Sequence, residues 1–223
     1  MSQPVILVFA RAPVPGTSKT RLIPALGASG AAQLQAQLLA RTLDEASKVR
    51  DARKVLFADS EESGAWLARR ALPTGWQLIV QRGEDLGGRM HEALLAGLAT
   101  AGAAILIGSD IIDFAAEDLA QGLLALKEGA EVVLGPAADG GYWLVGARVK
   151  IPTSLFTGLA WGGAEVYRET CRRCEVLGLR LQQLALRHDI DVPEDLHTHA
   201  AQLGALKDPA WWGEPQGDLS PLL

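Results

Sequence analysis

The chain has 223 residues, 48% of them hydrophobic, and a formal net charge of −5. That is enough for one α/β domain with a sizeable core. The acidic balance, with a sequence pI near 5.4, argues against general nucleic-acid binding, which needs a basic face. No stretch approaches the ~20 apolar residues of a membrane span. The opening MSQPVILVFARAPV has no charged leader before its apolar run, so we read it as a core strand and expect a cytoplasmic protein. The two cysteines, Cys171 and Cys174, lie in a stretch of helical pattern with no second ligand pair elsewhere. They read as small helix residues in a reducing compartment, not as a zinc or redox motif.

Short apolar runs alternate with longer Ala/Leu/Glu/Arg segments. A strand is expected at Val5–Ala10, and the spacing of Leu34, Leu38, Leu39 and Leu43 predicts a helix over Ala31–Val49 with Ser29 capping its start. Further strands are expected at Lys54–Ala58, Gln77–Gln81, Ala104–Gly108, Glu131–Gly135 and Tyr142–Gly146. The remaining helices fall at Glu62–Ala71, Arg89–Ala101, Ala116–Lys127 and Ala164–Leu177. Apolar strands flanked by helices mark an α/β fold built on a buried, mostly parallel central sheet with helices on both faces. One domain over residues 1–206 accounts for this pattern. Residues 207–223 hold Pro209, Pro215, Pro221 and the pair Trp211–Trp212. They suit an irregular extension on the body or on a second subunit, which makes a homodimer one expectation.

In open parallel sheets, chemistry gathers beyond the carboxyl ends of the strands. The first strand runs into a loop with Arg11, Lys19 and Arg21 around Pro13, Pro15 and Gly16. Such a strand-to-cationic-loop junction suits a phosphate met by backbone N–H groups and cations. Gly16-Thr17-Ser18-Lys19-Thr20 only superficially resembles a Walker A loop, which needs Gly directly before the Lys, where this chain has Ser18. After Gln81, the run RGEDLGGRM marks a glycine loop opening a helix, where Glu84 or Asp85 either caps the helix or meets base or ribose.

After Ile107 comes Gly108-Ser109-Asp110. A carboxylate at the tip of an apolar strand calls for a positive partner, and a divalent ion bridging it to a substrate phosphate fits. Asp113 stands closer to the next helix and is the better capping candidate, which leaves Asp110 available. Asp139-Gly140-Gly141, between two apolar runs, reads first as a tight turn; used functionally, it would let an acceptor approach the backbone. In HDIDVPEDL, Asp191 is the candidate second metal ligand. Asp189 shares its side-chain direction if the stretch is extended, so both stay in play.

Taken in order, FARAPVPGTSKTRL, GEDLGGRM, IGSD, GPAADGGYWLVG and DIDVPEDL span nearly all of the chain from Val5 to Leu196. Together they resemble the bacterial GT-A-type family of the nucleotide-diphospho-sugar transferase superfamily, in a branch associated with radical SAM genes. The first loop and the aspartates are also similar to those of related nucleotidyltransferases.

The resemblance implies a three-layer, Rossmann-like GT-A fold and a nucleotide-dependent transferase. It implies nucleotide binding by Ala10, Arg11, Gly16, Lys19, Arg21, Asp85, Gly87 and Arg89. Lys19, Arg21 and Asp110 would carry the catalytic roles. Asp110 and Asp191 would hold Mg²⁺ or Mn²⁺, and Asp139, Gly140, Gly141 and Tyr142 would face the acceptor. One departure stands out: the family pattern continues after Ser-Asp with one residue and a proline, whereas this chain has Ile111-Ile112. A less firmly set loop after Asp110 is the expected consequence.

The resemblance implies a nucleotide or sugar-nucleotide donor and a small-molecule acceptor. Three cations in the first loop favour an NTP, with nucleotidyl transfer to a phosphorylated or hydroxyl acceptor. Glycosyl transfer from a sugar nucleotide is the alternative. A catalytically weak nucleotide-binding module is a reading of another class, to which the Ile111-Ile112 departure lends support.

Overall fold

The alternating pattern folds, in the computed structural model, which describes residues 3–212, into seven strands and seven α-helices. In chain order these are β1 (Val5–Ala10), α1 (Ile23–Lys48), β2 (Arg53–Ala58), α2 (Glu61–Arg70), β3 (Gln77–Val80), α3 (Leu86–Leu98) and β4 (Ala104–Ile107). Then follow α4 (Ala116–Glu128), β5 (Val132–Pro136), β6 (Tyr142–Ala147), α5 (Val166–Val176), β7 (Leu181–Gln183), α6 (Pro193–Thr198) and α7 (Ala200–Gly204).

The strands form one sheet in the order β3-β2-β1-β4-β6-β5-β7, and only β6 runs against its neighbours. Side-chain alternation along β1 divides the core into two layers. Ile6 and Val8 pack with Leu39 and Leu43 of α1, Trp66 and Leu67 of α2 and Leu119 of α4. Val5 and Leu7 pack on the other face with Met90 and Leu94 of α3 and Cys174 of α5. The result is the three-layer α/β sandwich expected from the pattern. Cys171 and Cys174 are free thiols on α5. No helix among the described residues is long and apolar enough to cross a membrane.

Three boundaries differ from the sequence expectation for physical reasons. α1 begins at Ile23, with Pro24 in its first turn, and breaks at Gly27, whose backbone (φ 72°, ψ 166°) is not helical. Ser29 therefore lies inside the helix and caps nothing. α3 begins at Leu86, because the Asp85 side chain accepts from the Gly88 N–H and caps it. Gly87 and Gly88 thus sit in its first turn and not in a loop. The cap of α4 is Ala115, whose N–H is met by Asp118 and not by Asp113.

A third apolar cluster joins the C-terminal part to the site loops. Leu22, Leu34 and Leu38 pack with Ile112 and Ile190, and Leu196, Leu203 and Leu206 close over them. Beyond α7 the chain crosses α1, where Asp208 accepts from Gln33 and Gln37. Trp211 then meets Trp66 edge-on at 5.6 Å, so it covers the chain's own core. Pro215, Pro221 and the rest of the expected extension after residue 212 lie outside the described residues.

The antiparallel insertion of β6 demands close contact at Gly146. A Cβ there would lie 2.6 Å from Ile105 Cγ2, 2.8 Å from Val133 Cγ2 and 3.0 Å from the Ala104 carbonyl oxygen. We expect Gly146→Ala to destabilise the fold by about 1–3 kcal/mol through overpacking. Urea denaturation checks this; a loss within about 0.5 kcal/mol would contradict so tight a contact.

Candidate active site

The loop after β1 is folded by its own polar groups. Ser18 is buried; its hydroxyl accepts from the Val14 N–H and donates to the Ala12 carbonyl oxygen. The N–H groups of Thr17 and Ser18 both turn back to the Val14 carbonyl, and the Ala12 N–H donates to Ser63 of α2. These four donors face inward and fold the loop on itself. Its positive charge comes from side chains. Gly16 makes the bend (φ 88°) and stands clear of neighbouring groups.

Lys19 occupies the left-handed backbone region (φ 46°, ψ 47°), the one non-glycine residue with positive φ among those described. Such a conformation costs of order 1–3 kcal/mol and persists where the surroundings over-determine it. Here they do: the Lys19 side chain is only 4% exposed, its ammonium lies 3.2 Å from Asp110 Oδ2, and Asp191 Oδ1 lies 4.0 Å away. Arg21, on the solvent side, reaches Asp191 Oδ2 at 2.5 Å. An ammonium this deep needs anionic partners, and two carboxylates distant in sequence converge to supply them.

Backbone pairing makes that convergence possible. Ile111 bridges Asp189 in antiparallel fashion, the Ile190 N–H donates to the Asp110 carbonyl, and the Ile112 N–H donates to the His188 carbonyl. Asp113, expected to cap α4, instead accepts from the His188 backbone and sits 2.8 Å from its ring Nδ1. Asp195 accepts from the N–H groups of Asp191 and Val192 and holds the turn that presents Asp191. Ile111 and Ile112 are both buried. Backbone bonds and two buried side chains thus tie the loop after Asp110 to the segment before α6.

These groups line an open cavity of about 770 Å³ at the carboxyl end of the sheet, a size usual for small-molecule sites. Ala10, Arg11, Lys19, Arg21, Arg89 and Asp110 line it, as do Tyr142 and Asp191. The structure thus brings together most of the residues singled out from sequence. Six others lie outside the lining. Gly16 is at the loop's outer bend, and Asp85 caps α3. Gly87 is where α3 meets Trp161, whose ring a Cβ would approach to 2.7 Å. Asp139 and Gly141 close the β5–β6 turn, the Asp139 side chain accepting from the Gly141 N–H. Gly140 (φ 92°) is pressed against Ala164, and its carbonyl accepts from the Tyr167 N–H. Tyr142 alone of that segment reaches the cavity, and burial pushes its phenol upward.

Sequence reasoning passed over Asp59, at the end of β2, where the strand-end rule applied to the other strands would have found it. Its Oδ2 accepts from Arg11 Nε at 2.6 Å, and its Oδ1 is buried without a hydrogen-bond partner among the described residues. Gln81, after β3, and Gln35, whose amide donates to Ser109 beside Asp110, also line the cavity.

A hard divalent cation suits this donor set. Asp110 and Asp191 are about 40% exposed and present carboxylate oxygens to a common cation, which matches the oxygen preference of Mg²⁺ or Mn²⁺. Among the described residues no third His, Cys, Asp or Glu completes a metal cluster. Two carboxylates with the remaining positions left to phosphate and water is how Mg²⁺ is commonly held.

Comparison with known proteins places this geometry. The family model described as "Uncharacterized protein conserved in bacteria (DUF2064)" matches residues 42–163. No curated protein sequence matches the chain. The fold is similar to that of a candidate nucleotide-diphospho-sugar transferase from Desulfovibrio desulfuricans G20, with a TM-score of 0.79 and 27% identity over 92% of this chain and 98% of that one. A cytidylyltransferase from Leptospira borgpetersenii has a TM-score of 0.62 at 13% identity, covering 95% of this chain and 91% of its own. Glucosyl-3-phosphoglycerate synthase from Mycobacterium tuberculosis, in complex with Mn²⁺, UDP and glucosyl-3-phosphoglycerate, has a TM-score of 0.54 at 13% identity, covering 91% and 76%. The last two share the fold alone. The architecture is GT-A-like.

Asp189 stands beside this site, half-buried. Burial first, then the nearby charges of Asp139 and Asp110, push its carboxyl up to about 6. Its pKa is raised above the unfolded value, so the folded chain binds the extra proton and stability falls as pH rises from about 4 to about 6. We expect Asp189→Asn to remove that part of the slope. Urea denaturation of both forms at pH 4.5 and 7, in metal-free buffer, measures it; equal slopes would contradict the assignment.

Proposed function

The chain belongs to the bacterial family DUF2064, whose model covers more than half of it, and from the cavity geometry and the likeness of its fold to a candidate transferase we propose a divalent-metal-dependent transferase acting on a nucleotide-bearing donor. The observation that carries the proposal is the convergence of Asp110 and Asp191 on the buried Lys19 ammonium. The likeness to the Desulfovibrio candidate nucleotide-diphospho-sugar transferase, over nearly the whole of both chains, favours a sugar nucleotide and glycosyl transfer. The second reading, nucleotidyl transfer from an NTP, rests on the three cations of the first loop.

In this proposal Asp110 and Asp191 hold a Mg²⁺ or Mn²⁺ ion, which when bound neutralises donor phosphate charge and draws electrons from the leaving group. Lys19 keeps both carboxylates together. Arg21 and Arg89 stand where they can meet phosphate oxygens, and Gln81 is the uncharged polar side chain that lines the nucleoside half beyond Arg11 and Asp59. In the glycosyl reading an acceptor oxygen bonds to the anomeric carbon as that carbon's bond to the β-phosphate oxygen breaks. The nucleoside diphosphate leaves with the electron pair, and the acceptor proton passes to solvent. In the nucleotidyl reading the acceptor oxygen bonds to the α-phosphorus and pyrophosphate leaves. No side chain serves as a nucleophile in either, since positioning and charge stabilisation carry such transfers. Residues 1–206 form the transferase domain of this proposal, and residues 207–223 its extension.

A thermal-shift panel of NTPs and sugar nucleotides, with and without Mg²⁺ or Mn²⁺, tests it. A donor at 100 times its Kd stabilises by about 2.7 kcal/mol, or about 5–10 °C for a chain of this size. We expect one donor class to give such a shift with metal, and Asp110→Asn or Asp191→Asn to abolish its metal-dependent part. No shift from either class with metal present would contradict the proposal.

Lys19→Met removes the cation that gathers the two carboxylates. We expect donor affinity to fall at least tenfold, measured by isothermal titration with metal present. An unchanged affinity would show that Lys19 has no part in shaping the site.

A further inference from the structure

The cavity is chemically divided along the sheet. Over β1, β2 and β3 its walls carry polar groups, Arg11, Asp59 and Gln81, beside Phe9 and Ala10 of β1. The charged centre of Lys19, Asp110 and Asp191 lies at the ends of the first loop, β4 and the turn before α6. Over β4 and β6 the walls change character. Leu106 and Val145 face each other in register across these strands, Tyr142 stands at the head of β6, and Leu86 and Met90 line the cavity from α3.

The placement of α3 explains the division. It packs on β4, β1 and β6, so its first turn overhangs this half of the cavity. Leu86 and Met90, four residues apart, share a helix face, and Leu86 remains 46% exposed at the mouth. Below them Gly108 has no side chain. A Cβ there would meet, within 4 Å, only the Asp110 carboxylate, at 3.0 Å. The space between strand ends and helix is therefore open, apolar on its sides and adjacent to the charged centre. Arg89, one residue before Met90 on α3, is the charged side chain on this wall, and its Nε donates to the Gly83 carbonyl at the outer end of the helix.

Resting on the transferase reading, we propose that the acceptor has a hydrocarbon body, seated against Leu86, Met90, Leu106, Tyr142 and Val145, with one hydroxyl or phosphate turned toward Asp110. The donor's nucleoside takes the polar half over β1–β3, where hydrogen-bonding groups stand. Apart from Arg89 and the Ser109–Asp110 tip, a hydrophilic acceptor such as a free sugar or glycerol meets hydrocarbon on these walls and loses part of its hydration on entering. A hydrocarbon body loses only contact with water, which favours binding in proportion to the area covered.

The test titrates butan-1-ol, hexan-1-ol, octan-1-ol and glycerol into the protein by tryptophan fluorescence, first alone and then with Mg²⁺ and the donor that gives the largest thermal shift. We expect affinity to rise roughly threefold to fourfold per added methylene, with glycerol showing no saturable binding and the donor leaving octanol bound. Leu86→Asp, at an exposed position that keeps the fold, should weaken octanol at least tenfold. Flat affinities along the series, an unchanged octanol affinity in Leu86→Asp, or displacement of octanol by the donor would each overturn the proposal. The two readings fail separately: a thermal shift by the donor without graded alcohol binding removes the hydrocarbon acceptor alone. Graded alcohol binding without any donor shift removes the transferase reading on which it rests.

Discussion

A buried ammonium with two carboxylates is the constraint around which this molecule is arranged. Lys19 sits almost wholly out of water, and an isolated charge there would be prohibitively expensive. Its partners come from the tip of β4 and from the turn before α6, regions that meet only because the chain pairs residues 110–112 with 188–190. The left-handed backbone at Lys19 and the inward-folded Ser18 are the local means of aiming the ammonium. The third apolar cluster, with Leu22, Ile112 and Ile190 at its heart, holds the converging segments from behind. The C-terminal helices complete that cluster, which places them among the supports of the site and not beyond it.

The same packing sets what the cavity can recognise. Capping of α3 by Asp85 and the close approach of Gly87 to Trp161 draw the first turn of that helix down over β4 and β6. Apolar side chains then meet apolar strand residues on one side of the charged centre, while Asp59 and Gln81 keep the other side polar. The division follows from how one helix crosses the sheet, without any dedicated loop. Arg11, bonded to Asp59, joins the first loop to the polar half. The outcome is a charged centre of paired cations and carboxylates between an apolar and a polar wall.

Much of this was legible in the sequence because local physics produces it. Apolar runs between amphipathic segments gave the strand and helix order, and the strand-end rule led to Lys19, Arg21, Arg89 and Asp110. What escaped is long-range or weakly patterned. β7 is three residues long, with two exposed glutamines, and carries no strand signal. Asp113 had the spacing of a helix cap, yet it was claimed by His188, a residue 75 positions away. The glycines of GEDLGGRM and of the Asp139 turn invited functional readings, but Gly87 and Gly140 are required by contact with Trp161 and Ala164. The surroundings of Ile111-Ile112 were hidden for a similar reason: both side chains find buried partners that sequence spacing does not reveal.

The direct measurement of the central arrangement is a crystal structure with Mn²⁺ and a nucleoside diphosphate, with data collected at the manganese absorption edge. We expect an anomalous peak between the carboxylates of Asp110 and Asp191, within oxygen-ligand distance of both, and Lys19 still bonded to one of them. A peak elsewhere, or no peak with both carboxylates still turned onto Lys19, would show that the ammonium itself is their final partner and that this site holds no metal.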